Sequence, residues 1–185
     1  IGFLNKDFAT KYCTTLGSTI YAPSPEYLQG PGRVAPVTAL LHETVHLYDM
    51  KRLGKIPFEV LYLAPQCWVV LVIPLMLWKG LWGLLVLLCL LPVPALGRAY
   101  LELRAYAASL YVADRLAKKL NVRINLEGQK EKIIEQFVNL TYYFMFPFPR
   151  LLHTYLDKCL VKIQGNETPF QDKKLFSILD SILLN

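Results

Sequence analysis

At 185 residues the chain has room for one domain with a single core. Its apolar share of 54% is high for a soluble protein, and its net charge of +6 suits a membrane surface at least as well as nucleic acid. The basic residues form no long run and no face interleaves them with aromatics, which ranks nucleic-acid binding last; the densest patches, 118–123 and 128–132, read as solvated helix ends. Cys13, Cys67, Cys89 and Cys159 lie far apart with no CxxC pair, so they read as reduced, buried thiols rather than a disulfide framework or zinc knuckle. The chain opens on Ile1 without a basic leader, as expected of a processed or incomplete chain with any targeting signal out of view.

The first segment is rich in Thr, Tyr and Ile around Gly17 and predicts one short strand or a hairpin centred on Ser18 to Ala22. A Pro/Gly-rich loop follows. Pro36 is placed to open a helix that Gly54 ends, with Lys51 and Arg52 in the last turn, where the helix dipole favours positive charge. That helix spans about five turns, from Pro36 to Leu53.

From Val60 to Trp78, and again from Gly80 to Gly97, no charged residue occurs, and only Lys79 separates the two runs. Runs of this length are membrane candidates. Pro65 and Pro74 interrupt the first, and Pro92 and Pro94 end the second. A helix from Leu81 to Leu91 would be roughly 16 Å long, about half of a hydrocarbon core. The pattern therefore favours a helical hairpin that dips into one leaflet, or packs on apolar protein, over two full spans. Trp68, Trp78 and Trp82 would suit an interface. The competing reading is a hairpin buried in the domain's own core.

Beyond Gly97 the pattern is helical to Asn121, and further helices are predicted near Gly128 to Phe144, Pro149 to Ile163 and Pro169 to Leu184. No internal repeat is present. The expected architecture is one mainly α domain over 1–185 with a small N-terminal β element (α+β), an apolar hairpin inserted at 60–97, and a C-terminal helical region, 122–185, packed on the same domain.

The chemistry gathers on the first helix, in the stretch His42-Glu43-Thr44-Val45-His46. Two histidines four apart share one helix face, so both imidazoles can reach one metal at about 2.0 to 2.1 Å. Glu43, rotated about 100° from His42, is too far round to ligate comfortably but can touch a water at the metal's open position, as a general base must. The pattern arises by accident in roughly half a per cent of chains of this length. A hydrolytic zinc wants three protein ligands and one open position. The third ligand would come from His153, the remaining histidine, or from Glu102, a carboxylate on an otherwise apolar helix and costly there unless paired or ligating. Glu102 is the better candidate; its bland reading is a surface ion pair with Arg98 or Arg104. Asp49 reads as a surface acid, with a supporting role behind the metal ligands as the alternative.

His42, Glu43, His46 and Glu102 together resemble the zincin metallopeptidases of gluzincin type, in which HExxH on one helix is completed by a glutamate on a later one. The resemblance covers residues 15 to 110, and the flanking segments also resemble small zincin-like proteins of bacteria and phages. It implies zinc as cofactor, Glu43 as general base, a peptide or protein substrate, and a strand near Ser18 to Tyr21 along the cleft that pairs with an extended substrate. Two features depart from it. The position four after the ligand glutamate, Asp in the family pattern, is Tyr106, and the gap from His46 to Glu102 is long unless 60–97 is removed, which leaves roughly twenty residues. Since His46 and Glu102 must meet, the hairpin must leave and return on the same side.

In this reading zinc activates the water and polarises the scissile carbonyl, and Glu43 passes the water proton to the leaving amine. The oxyanion donor is expected first from Tyr106 and second from His153, with Arg104 and the Tyr142/Tyr143 pair behind them. The association expected through Val60–Gly97 is with a membrane or an apolar partner. The alternative function is a structural or membrane-inserting protein of a virion or envelope that keeps a zincin-like metal site without catalysis. Glu43 discriminates the two, because a structural site has no use for a base.

Overall fold

Small residues at 99, 105, 107, 108, 113 and 117 let neighbouring elements approach one helix from every side, and the chain is built around it. The computed structural model describes residues 13–16, 19–22, 24, 34–90, 94–139 and 145–184. Two short strands, β1 (Thr14–Leu16) and β2 (Thr19–Tyr21), pair antiparallel with Thr15 opposite Ile20. Helices α1 (Val34–Leu53) and α2 (Lys55–Leu63) follow, then an apolar hairpin, then the central helix α4 (Leu96–Leu120). Within the hairpin, 3₁₀ turns at Gln66–Leu71 lead into α3 (Val72–Lys79), and a second 3₁₀ segment covers Gly80–Leu90. Helices α5 (Leu126–Val138), α6 (Pro149–Gln164) and α7 (Lys173–Leu184) complete the chain. It is mainly α with a small N-terminal β element.

The core forms where α1 packs along α4 and where α5, α6 and α7 close on the remaining faces of α4. Leu41 and Val45 of α1 share this core with Ala105, Ala108 and Val112 of α4, Phe137 of α5, Leu156 and Leu160 of α6, and Leu175 and Leu179 of α7. Local signals set the ends. Gly54 takes φ +89° and donates its N–H to Met50, stopping α1. Asn121 adopts a left-handed conformation at the end of α4. The last helix begins at Lys173, not near Pro169, because the Asp172 carboxylate caps the Leu175 N–H at 3.1 Å. The described part of the helix predicted over Gly128 to Phe144 spans Leu126–Val138, and 140–144 lies outside the described residues. Cys13 and Cys159 are buried and form no disulfide among the described residues.

The reading of Asp49 as a surface acid is overturned. Asp49 is fully buried and forms a two-point ion pair with Arg104, at 2.9 and 3.0 Å. Arg104 also reaches Asp172 at 3.0 Å, and Tyr48 donates to Asp172 at 3.0 Å, so one polar network ties α1 and α4 to the start of α7. Burial penalises such charges; fork geometry and full pairing make them tolerable.

The hairpin projects differently. Gly80, at φ +61°, reverses the chain, and the two arms pack against each other. Gly83 crosses the first arm so closely that a β-carbon there would lie 2.4 Å from the Met76 backbone N, which only glycine permits. The reading of this hairpin as a buried core element fails, because only 6% of the most apolar window within Trp68–Leu88 is buried. That run has the length and apolarity of a membrane span, with a mean hydropathy of 2.1, although the turn at Gly80 folds it into two arms.

Removing one partner of a buried charge pair is costly, so Arg104→Leu should lower the unfolding free energy by about 3–5 kcal/mol in denaturant titrations. The Asp172 carboxyl is held below the usual range: burial alone would raise it, but the Leu175 N–H, the Arg104 guanidinium and the Tyr48 hydroxyl together outweigh burial. A lowered folded value means that its contribution is complete above the ordinary carboxyl range and disappears as pH falls through the folded value. Stability measured on the acid side of about pH 4 should therefore fall less steeply in Asp172→Asn than in the wild type.

Candidate metal centre

Helix α1 places His42 and His46 on the face that meets α4, and the two Nε2 atoms lie 3.2 Å apart. Glu102 comes up from α4 between them. Its Oε2 is 3.3 Å from His42 Nε2 and 3.7 Å from His46 Nε2. Ligands at 2.0 to 2.1 Å from a tetrahedral metal stand about 3.3–3.4 Å apart, so all three separations fit one such ion. These three residues form a group able to hold a metal ion, with the ligand atoms within 4.8 Å of one another. Glu102 is only 3% exposed, which overturns the reading of it as a surface ion pair with Arg98 or Arg104.

Each ligand has a different support. Ser109 donates to the Ala105 carbonyl at 2.8 Å, which leaves its oxygen free to accept from His42 Nδ1 at 3.2 Å. With Nδ1 bonded to Ser109, Nε2 is the ring nitrogen turned toward the cluster. Tyr62 donates to Glu102 Oε1 at 2.5 Å, so Oε2 is the oxygen presented to the histidines. His46 Nδ1, by contrast, has no hydrogen-bond partner among the described residues. Its ring is packed edge-on against Phe58 and Tyr62 instead.

The electrostatics follow from burial and pairing. Burial pushes His46 down, but the hydrogen bond and charge of Glu102 win and raise it. Burial would raise Glu102, and its contacts with His42 and His46 instead hold it well below the usual carboxylate range. Burial, with the neighbouring Glu102 charge, drives the Tyr62 phenol upward, so it remains a protonated donor. Three donor groups thus share one small volume with two of them nearly dry.

Glu43 lies one residue after His42 on a half-buried position, and its carboxylate makes no hydrogen bond or ion pair among the described residues. Tyr106 and His153 are engaged elsewhere. The Tyr106 ring packs edge-on to His42, with centroids 4.6 Å apart, but its hydroxyl donates to Gln136 at 2.8 Å. His153 sits on α6 with Nδ1 3.7 Å from Glu131 and is not in the metal-binding group. Arg104 is committed to Asp49 and Asp172. Tyr142 and Tyr143 lie outside the described residues.

Sequence reasoning missed Tyr62 and Ser109. Tyr62 falls inside the segment assigned to the hairpin, yet it belongs to α2, which packs on α4 before the apolar arms begin. Gly97 makes that contact close: a β-carbon there would be 2.5 Å from the Leu61 carbonyl oxygen. The strands β1 and β2 pack on α1, and β2 is paired only with β1 among the described residues.

Groups that orient a ligand without touching the metal commonly govern affinity by about 10–100-fold. If the three groups hold zinc, Ser109→Ala and Tyr62→Phe should each weaken its binding by about that factor in competition with a chromogenic chelator, with helical content unchanged. Unaltered affinity in both would show that neither hydroxyl supports the cluster.

No family model, no curated protein and no solved structure matches the chain.

Proposed function

We propose that the chain is a zinc-dependent metallopeptidase of the gluzincin type, held at a membrane or apolar partner surface by its hairpin. The observation that carries this reading is the convergence of His42, His46 and Glu102 at tetrahedral spacing with Glu43 left uncommitted beside them. His42 Nε2, His46 Nε2 and Glu102 Oε2 would hold the ion. Bound zinc supplies a Lewis acid and lowers the pKa of water toward 7. The donor set, two imidazoles and one carboxylate, is one that zinc accepts with a position left open.

The chain's own residues then handle protons and orientation. Glu43 accepts the water proton and returns it to the departing amine, so the carboxylate ends each cycle as it began. Ser109 would hold His42 with Nε2 toward the ion, and Tyr62, by occupying Glu102 Oε1, would leave Oε2 as the oxygen offered to it. Among the described residues β2 is paired on one edge only, by β1, and its other edge suits a substrate bound by strand addition. Tyr106 and His153 remain engaged with Gln136 and Glu131, so an oxyanion role for either requires leaving those partners.

A second reading, a membrane-inserting structural protein with a metal-stabilised domain, is favoured by the exposure of Leu77, Trp78, Leu81 and Trp82. It shares the metal ligands with the first and differs at Glu43.

Elemental analysis of the purified chain separates them when joined to hydrolysis of a quenched peptide library. About one zinc per chain is expected in the wild type and in Glu43→Gln, with loss in Glu102→Ala. Hydrolysis should fall by about 10²–10⁴-fold in Glu43→Gln. Zinc without hydrolysis in the wild type would hand first place to the structural reading, and a folded wild type without zinc under metal-replete conditions would remove both metal readings.

A further inference from the structure

The apolar arms have a length that the membrane reading must accommodate. At 3₁₀ and α rises, the arm Gln66–Lys79 extends about 24 Å and the returning arm Gly80–Leu90 about 22 Å. One leaflet of a hydrocarbon core about 30 Å thick offers about 15 Å. The arms are too long for a dip into one leaflet and only about 6–8 Å short of a full crossing. The 3₁₀ geometry makes the difference, since the α-helical length expected from the sequence had suggested a dip.

The tip decides between the two positions. Lys79 sits beside the reversal at Gly80 with its ammonium 4.3 Å from the Trp78 ring centroid, and Trp82 follows two residues later. Trp78 and Trp82 are 74% and 76% exposed. In a dip this cluster would stop beyond the midplane, leaving an ammonium in hydrocarbon with no carboxylate in either arm to pair it. At the far headgroup layer the same residues are in their preferred place: tryptophans at the boundary and a lysine stem reaching toward phosphate. Local thinning of the bilayer absorbs a shortfall of this size. The surface of the arms is apolar all round, as lipid requires and a one-sided protein contact does not.

We infer that the hairpin crosses a lipid bilayer twice, so that Trp78, Lys79 and Trp82 lie in the headgroup layer opposite the metal centre. The inference rests on the membrane part of the proposed function and not on the metal.

The test uses the full chain carrying Lys79→Cys and Lys174→Cys together, with the four native cysteines replaced by alanine, reconstituted in phosphatidylcholine and phosphatidylglycerol vesicles. Lys174 is an exposed residue of α7 and marks the side of the folded domain. After treatment with a membrane-impermeant maleimide, intact-mass analysis should find chains with one label before permeabilisation and two labels after it. Chains doubly labelled before permeabilisation, or labelled only at Lys174→Cys after it, overturn the double crossing. Failure of every variant, wild type included, to float with vesicles overturns the membrane reading itself. Should the cysteine-free background not fold, Trp68→Phe leaves Trp78 and Trp82 as the fluorophores. Quenching by lipids brominated near the headgroup supports a crossing, and stronger quenching by chain-end bromines overturns it.

Discussion

The fold depends on how it pays for a carboxylate in the middle of its most buried helix. Glu102 lies among Leu101, Ala105 and Ala108 on α4, where an unpaired negative charge would be disfavoured by several kcal/mol. Neutral protonation would relieve that cost, yet the surroundings do the opposite and favour the ionised form through His42, His46 and the Tyr62 hydroxyl. Around this charge α1, α2 and α4 must meet at fixed spacing. The same helix carries Arg104 two residues on, and that guanidinium demands Asp49 and Asp172, so a second polar cluster locks α1 and α7 to α4.

What was legible in the sequence follows from what is local. The four-residue spacing of His42 and His46 fixes a shared helix face whatever the tertiary fold, and Glu102 stands out because an acid on an alanine-rich helix needs a reason. Helix ends marked by Gly54 and Asn121 were equally readable, since a backbone that must take positive φ advertises the residue. Tyr62 and Ser109 were not readable: they meet the site across 40 and 67 residues, and tyrosine and serine are too common to signal a partner. Asp49 was misplaced for the same reason. Its fork partner Arg104 lies 55 residues away, and nothing on α1 itself distinguishes a buried acid from a solvated one.

Tyr106 shows a subtler limit. Its position one turn after Glu102 brings its ring against His42, but a ring and its hydroxyl need not serve the same site. The phenol extends past the imidazole to Gln136 on α5, so the aromatic body packs the ligand while the polar end ties a neighbouring helix. His42 Nδ1 meets Ser109 instead, seven residues after Glu102 and so on nearly the same face of α4. A weaker donor–acceptor group is sufficient for orientation because its own proton is already committed to Ala105.

The inserted hairpin cannot be a passive appendage, because its roots belong to the site. The chain enters the first arm from α2, the helix that carries Tyr62 to Glu102, and returns from the second arm into α4, the helix that carries Glu102 itself. Between them, Gly97 allows the α4 backbone to lie directly against the Leu61 carbonyl, so the two roots are held together at backbone contact and not through long side chains. Tyr62 and Glu102 therefore stand on the two helices from which the arms spring. Close-packed contacts of this kind shift together or not at all. The apolar arms and the three donor groups thus share one root, where α2 and α4 meet at backbone contact.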